Sequence, residues 1–156
     1  MTDWIDLAIE RVSQVKNLPQ SMVVIAGASQ SGKTQLAKLM AKKEFGIYIN
    51  LSLFISRHLM VINIDEDTGW TNDLKLSLLS SLDSDQPLIL DNIEAVFQPT
   101  LQLNPLNWFL QLAREVPLVV VWPKMVSQGE FIYSMPNRSD YFYQRDLSIA
   151  VVTTNA

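Results

Sequence analysis

The sequence predicts an α/β fold with a mainly parallel sheet, and three observations support this prediction. Short apolar runs at 21–26, 87–91 and 117–122 have the composition of strands that are buried on both faces of a sheet. Amphipathic helical segments alternate with these runs, as in a chain that winds helices around parallel strands. The first run is followed directly by a glycine-containing loop and then by a helical segment, 33–43, that ends in basic residues.

The remaining elements follow from periodicity and punctuation along the chain. Apolar residues recur near a 3.6-residue period from residue 3 onwards, and Pro19 marks the end of that pattern. An N-terminal helix is therefore predicted over 3–18, packed on a core of 21–152. The other predicted elements are strands at 47–51 and 147–152, a short helix at 52–60 leading into an extended stretch at 61–65, a helix at 72–82, and a helix from its N-cap Asn104 to Glu115.

Composition limits the chain to one globular domain and excludes several classes of protein. With 156 residues, 48% of them hydrophobic, the range 1–156 is predicted to form a single domain with no C-terminal lid. The absence of cysteine excludes a disulfide framework and a thiolate nucleophile. The 12 basic and 16 acidic residues give a net charge of −4, which argues against bulk binding to nucleic acid or membrane. The acidic N-terminus and the lack of an apolar run of about 18 residues predict a cytoplasmic protein without a membrane span.

The segment GASQSGKT, residues 27–34, matches the pattern G-x-x-x-x-G-K-[ST] in full. Glycines at the two ends let the backbone wrap closely, so that its N–H groups point at phosphate oxygens in front of the next helix. Lys33 would reach the β and γ phosphates of ATP or another NTP, and the Thr34 hydroxyl would complete a Mg²⁺ shell. The alternative is an ordinary Gly/Ser-rich turn. The predicted nucleotide-binding residues are Gly27, Ser29, Gln30, Ser31, Gly32, Lys33 and Thr34.

A second segment, PLILDNIE at 87–94, delivers an acid at the end of an apolar run. In P-loop proteins such an acid, here Asp91, binds Mg²⁺ through water, although it can also simply cap the following turn. Many ATPases of the additional-strand branch place a Glu next, where this chain has Asn92. The nearest acid is Glu94, which is either the catalytic group that polarises the attacking water or a solvated charge. Together the two segments predict a three-layer P-loop NTPase fold of the additional-strand type.

Three further features bear on turnover and partners. The end of the third apolar run carries Trp122 and Lys124, where many such ATPases have a small polar residue that senses the γ-phosphate. The segment 131–146 is rich in aromatic residues and arginine, which is typical of a protein interface, of a single-strand nucleic-acid groove, or of simple packing over the sheet. The candidates for an arginine finger are Arg57, Arg114, Arg138 and Arg145.

Beyond the phosphate-binding motif, an ordered series of segments resembles one family. These segments are DNIEAVF at 91–97, NPLNWFLQLAR at 104–114, VVVWP at 119–123 and the Y-x-x-P of 133–136 followed by an Asp-Tyr pair. With the loop included, they resemble BrxF, the small P-loop proteins of type 3 BREX bacteriophage-exclusion systems, over most of 21–152. The chain departs from that pattern with Asn104 before a proline and Pro123 after the tryptophan.

This resemblance implies a bacterial, cytoplasmic antiviral-defence protein that works with a methyltransferase, a PglZ-type protein, a large ATPase and a helicase. The residues that match the family's nucleotide and Mg²⁺ positions are Gly27, Gly32, Lys33, Thr34 and Asp91, and Glu94 matches its DNIE pattern.

The function expected from the sequence is an ATP-binding, weakly hydrolysing subunit of such a complex, in which nucleotide controls assembly or DNA engagement. One alternative is a non-hydrolysing scaffold or nucleotide-gated switch, which Asn92 and Trp122 favour. Another is a small ATPase that loads a helicase. Direct DNA contact and homo-oligomer formation are left open by the sequence.

Overall fold

The computed structural model describes residues 2–28, 30–43, 45–59, 70–80 and 86–154. The helices are α1 (Thr2–Val15), α2 (Lys33–Lys42), α3 (Leu51–Leu59), α4 (Trp70–Ser80) and α5 (Pro105–Leu112). The strands are β1 (Met22–Ala26), β2 (Ile47–Asn50), β3 (Leu88–Asp91), β4 (Leu118–Val121), β5 (Glu130–Tyr133), β6 (Phe142–Arg145) and β7 (Ala150–Thr153). Two 3₁₀ segments, Ile93–Phe97 and Pro99–Leu101, follow β3.

Within these ranges, β2, β3, β4, β1 and β7 form a parallel sheet in that order, which confirms the predicted α/β fold. The strand that precedes the glycine loop, β1, lies between β4 and β7. The strand that ends in Asp91, β3, is separated from β1 by β4. Strands β5 and β6 form a separate antiparallel pair.

Helices cover both faces of the sheet because its central strands are apolar on both sides. On one face α1 and α2 bury their apolar stripes against side chains such as Val23, Ile25 and Ile89. On the other face α3, α4, α5 and the first 3₁₀ segment pack against alternate residues of the same strands, such as Val24 and Leu90. The alternation of strand side chains therefore assigns every sheet residue to the α1–α2 face or to the α3–α5 face.

The main difference from the sequence prediction is a hairpin within the segment 131–146. The segment was expected only as an aromatic connection, but β5 and β6 pair within it through Phe131 and Gln144. The predicted strand at 147–152 begins only at Ala150, because Ser148 donates from its backbone and its hydroxyl to Asp146 and so forms a turn. The other predicted elements differ from the observed ones by a few residues at their ends.

Some predictions fall on residues that the structure does not describe, namely the extended stretch at 61–65, the end of the helix at 72–82, and Ser29. Across the described ranges, no helix combines the length and the apolar composition that crossing a bilayer requires.

Candidate functional site

The loop between β1 and α2 begins at a position where only glycine fits. A Cβ atom at Gly27 would lie 2.3 Å from the Thr154 hydroxyl oxygen and 2.6 Å from that of Ser31. Those two hydroxyls form a buried hydrogen bond of 2.6 Å, which ties the loop to the chain just after β7. At the other end of the loop, Gly32 is left-handed, with φ 90°, and forms the N-cap of α2. The two motif glycines thus serve the tight path that the sequence predicted for them.

The Lys33 side chain is buried beside this loop, and its ammonium donates to the Gly27 carbonyl. Burial lowers the pKa of Lys33 below its usual value, and the negative charges of Asp91 and Glu94 oppose that shift. The two acids that the sequence singled out therefore lie within electrostatic range of the motif lysine. A buried cation in the first turn of a helix is suited to an anionic ligand.

An open cavity of about 410 Å³ lies over the start of α2 and is lined by Gln30, Gly32, Lys33, Thr34 and Gln35. The Thr34 side chain is exposed, and Gln30 is exposed with a left-handed φ of 62°. Ser31, another predicted loop residue, does not line this cavity, because it is buried and its hydroxyl is hydrogen-bonded to that of Thr154. Its side chain therefore supports the loop from behind.

Asp91 is buried, 3% exposed, at the carboxyl end of β3. It lies on the same sheet face as Ile89, which is the face covered by α2. The register of β3, β4 and β1 places it about two strand spacings, roughly 10 Å, from the end of β1. One of its oxygens accepts a 2.7 Å bond from the Tyr48 hydroxyl and the other a 2.8 Å bond from the Asn92 backbone N–H. Burial and this bond raise the pKa of Tyr48, so its phenol stays protonated and donates.

The backbone conformation at position 92 favours asparagine over the glutamate that many ATPases have directly after this aspartate. The Asn92 backbone is left-handed, with φ 51° and ψ 58°, a region that asparagine tolerates better than glutamate. The backbone carbonyl of Asn92 accepts bonds from the N–H and the hydroxyl of Ser52 at the start of α3. This left-handed residue turns the chain into the 3₁₀ segment that carries Glu94.

Glu94 is half-buried, and its charge acts on both Lys33 and Tyr133. Its partial burial fits the catalytic acid and leaves the alternative of a solvated charge open. Burial is the main cause of the raised pKa of Tyr133, and Glu94 adds to it. No motif in the sequence indicated that Tyr133 lies near Glu94, because the β5–β6 hairpin brings it there.

The position expected to hold a polar γ-phosphate sensor is filled by a buried indole. Trp122 is 0% exposed, and its N–H donates to the backbone of β5 over 3.1 Å. It packs edge-on against Phe97 and Phe131, and the Phe97 ring stacks on Tyr133 at 4.0 Å. The aromatic cluster, defined as Phe97, Trp122, Phe131, Tyr133 and Phe142, joins the hairpin to the 3₁₀ segment. The concentration of aromatic residues on both sides of Pro136 is the sequence signal that could have revealed the hairpin.

The other cations that the sequence singled out have exposed side chains. Lys124 is exposed, and its backbone carbonyl accepts a hydrogen bond of 3.3 Å from the Gly27 N–H. Arg138 forms an ion pair of 3.5 Å with Asp140 on the hairpin. The candidates for an arginine finger are all exposed: Arg57, Arg114, Arg138 and Arg145.

The donor set fits a nucleotide with Mg²⁺ better than a metal held by protein alone. In the part of the chain that the structure describes, no group of three or more His, Asp or Glu side chains could hold a metal ion. Mg²⁺ usually takes one or two protein carboxylates and completes its shell with water and substrate phosphates. Thr34 and Asp91 carry oxygen atoms of the kind that such a shell takes, and Lys33, on which the charge of Asp91 acts, would bind the phosphates.

Comparison with known proteins assigns no family. No family model matches the chain, and no curated protein matches it. Among solved structures, the structure of PCH-2 from C. elegans shares 14% sequence identity at a TM-score of 0.41. That match covers 97% of this chain, which spans only 40% of the PCH-2 chain. Similarity at this level assigns neither an activity nor a partner.

Proposed function

We propose that this chain has a P-loop NTPase fold of the additional-strand type and binds ATP, or another NTP, with Mg²⁺. The observation that carries the proposal is the position of the full motif: it joins the buried strand β1 to α2 and holds the buried Lys33 within electrostatic range of Asp91. The strand order supports it, since β4 is the additional strand between β1 and β3.

Each proposed contact uses a group already described. The loop N–H groups and Lys33 hold the phosphates, the Thr34 hydroxyl takes a place in the Mg²⁺ shell, and Asp91 contributes through water. When bound, Mg²⁺ neutralises phosphate charge and holds the phosphates in a fixed orientation. Lys33 would exchange its bond to the Gly27 carbonyl for a phosphate oxygen, which suits a buried ammonium better than a neutral acceptor.

Titration of Mg·ATP into the purified protein by calorimetry tests this function. Lys33→Ala removes the proposed phosphate contact, so saturable binding is expected in the wild type and no measurable binding in the variant. Lys42→Ala is the matched control, because this exposed lysine lies at the other end of the same helix. Equal binding by both variants, or no binding by the wild type, would contradict the proposal.

Slow hydrolysis is proposed for the nucleotide, with Glu94 as the group that orients the attacking water. Its half-buried position in range of Lys33 favours this role. Glu94→Gln keeps the size and removes the charge, so hydrolysis is expected to disappear while Mg·ATP binding stays within about three-fold of the wild type. The buried Trp122 in place of a polar sensor favours the second candidate, a switch that binds nucleotide without hydrolysing it. If the protein hydrolyses no ATP even with every partner present, it is such a switch.

We also propose that the protein serves as the small P-loop subunit of a type 3 BREX phage-defence complex. The segments that resemble this family lie around one packed unit, since Phe97, Trp122 and Tyr133 belong to the same aromatic cluster and α5 packs in the same core. Its partners would be the large ATPase, the PglZ-type protein, the methyltransferase and the helicase. Co-purification of the tagged chain with these proteins, with and without ATP, tests the assignment. Lys33→Ala should change the recovered partners if nucleotide controls assembly, and hydrolysis stimulated by DNA would favour the helicase-loader alternative.

A further inference from the structure

The Asp91 carboxylate is oriented by two hydrogen bonds, one from a side chain of β2 and one from the backbone of the residue that follows β3. The Tyr48 hydroxyl donates to one oxygen over 2.7 Å, and the Asn92 N–H donates to the other over 2.8 Å. A carboxylate has about four acceptor positions, so each oxygen keeps one for another donor. The aspartate that accepts both bonds is buried, with 3% of its surface exposed, and the two donors belong to half-buried residues. Its rotation about the side-chain bonds is therefore fixed before any ligand arrives.

The sheet register explains how a residue distant in sequence reaches this carboxylate. Asn50 is the direct partner of Asp91 across β2 and β3, and Tyr48 is the partner of Ile89. Tyr48 and Asp91 are thus diagonal neighbours on one sheet face, a separation of about 7–8 Å that a tyrosine side chain spans. On the same face, the Lys38 ammonium of α2 lies 5.7 Å from the centre of the Tyr48 ring. The tyrosine therefore contacts both the strand that carries the acid and the helix that follows the phosphate loop.

From this geometry we infer that Tyr48 is a positioning residue for the metal, acting through Asp91. The inference rests on the proposed function and adds to it a residue outside both sequence motifs. By holding one carboxylate oxygen, Tyr48 fixes the orientation of the acceptor positions that remain free on both oxygens for water of the metal shell. Without the phenol, the carboxylate would rotate about its single remaining donor. The orientation of the acid would then be lost while the loop that holds the phosphates stayed intact.

The test separates metal affinity from nucleotide affinity. Tyr48→Phe keeps the ring and its contact with Lys38 but removes the donor. ATP is titrated by calorimetry in excess EDTA, and Mn²⁺ binding to the ATP-saturated protein is measured by electron paramagnetic resonance. We expect Mn²⁺ affinity to fall about ten-fold, the lower end of the range for groups that orient a metal's ligands. ATP affinity in EDTA should stay within about two-fold of the wild type.

Two controls complete the experiment. Tyr143→Phe removes another phenol that donates to an acid, Glu130 on the exposed hairpin, and should change neither affinity. Asp91→Asn should lower Mn²⁺ affinity at least as much as Tyr48→Phe does. An unchanged Mn²⁺ affinity in Tyr48→Phe, or equal losses with and without metal, would overturn the inference while leaving the proposed function in place. Wild-type protein that binds no ATP would overturn both.

Discussion

Asn92 offers a direct test of how the backbone sets the chemistry of this site. Its φ of 51° and ψ of 58° lie in the left-handed region, which costs most non-glycine residues about 1–2 kcal/mol and asparagine less. No side-chain hydrogen bond of Asn92 caps the 3₁₀ segment, so the backbone conformation dominates its contribution. Asn92→Ala should therefore lower the free energy of unfolding by about 1 kcal/mol, whereas Asn92→Gly should stay within about 0.5 kcal/mol of the wild type.

Urea unfolding followed by circular dichroism measures these differences, and thermal unfolding should show a fall of about 2–4 °C for Asn92→Ala. Gln102 is the matched control for backbone strain. Its φ of 53° is also left-handed, but the residue is exposed and belongs to neither sequence motif. Because glutamine tolerates the left-handed region less well than asparagine does, Gln102→Gly should raise the free energy of unfolding. Equal unfolding free energies for Asn92→Ala and Asn92→Gly would refute the strain argument.

The same reasoning predicts the behaviour of Asn92→Glu, which supplies the acid that many ATPases carry after Asp91. A glutamate in the left-handed conformation would lower the free energy of unfolding by about 1 kcal/mol. The backbone at position 92 would still turn towards the 3₁₀ segment. Hydrolysis should therefore change by less than about ten-fold. A correctly placed general base is worth about 10²–10⁴ in rate, so a rise of 100-fold in phosphate release would refute the argument that the left-handed backbone at position 92 prevents an acid there from acting as that base.

Three further perturbations test the surroundings of the site. Trp122→Phe should lower the free energy of unfolding by about 2 kcal/mol, because it leaves a backbone carbonyl of β5 without its donor and removes buried volume; a loss below about 0.5 kcal/mol would contradict this. The Trp4 ring lies beside Gly32, 4.0 Å from where a Cβ would be, so Mg·ATP should change its fluorescence. That change should disappear in Trp4→Phe, and its persistence there would exclude this tryptophan as the reporter. The hydroxyl of Ser134 holds the pKa of Asp140 below its usual value, and Ser134→Ala should raise that pKa in an NMR titration. A carboxyl group whose pKa is lower in the folded protein than in the unfolded chain stabilises the fold at a pH above its ordinary pKa. That stabilisation is lost as the pH falls through the lowered pKa. Ser134→Ala should therefore lower the free energy of unfolding more near neutral pH than in acid.

The parts of the site that the sequence predicted are those set by local backbone chemistry. The loop from Gly27 to Gly32 requires glycine because of tight turns and close approach of the backbone, and these needs are written into a short motif. Likewise, the short apolar run that ends at Asp91 favours a strand buried on both faces, and the structure places its acid at the carboxyl end of β3, on the sheet edge where β1 also ends. Both predictions needed only neighbouring residues.

The parts that the sequence did not reveal depend on pairing between distant segments. Tyr48 bonds to an acid 43 residues away, and that contact follows from the register of β2 and β3, which no short pattern encodes. The β5–β6 hairpin is similar, since its short strands acquire their positions by packing on Trp122 and Phe97. Aromatic residues in such a segment fit an interface, a nucleic-acid groove and internal packing equally well until the partner rings are known.

The position of Glu94 is linked to this aromatic packing, because one 3₁₀ segment carries both Glu94 and Phe97. Residues three apart in a 3₁₀ helix lie on the same side, and Tyr133 accordingly stacks on Phe97 while lying within electrostatic range of Glu94. The acid is therefore held at a fixed place by rings that are buried beneath the hairpin. Substitutions that loosen the cluster would lower stability and displace the acid together. If Glu94 orients the attacking water as proposed, such substitutions should lower hydrolysis and the free energy of unfolding together.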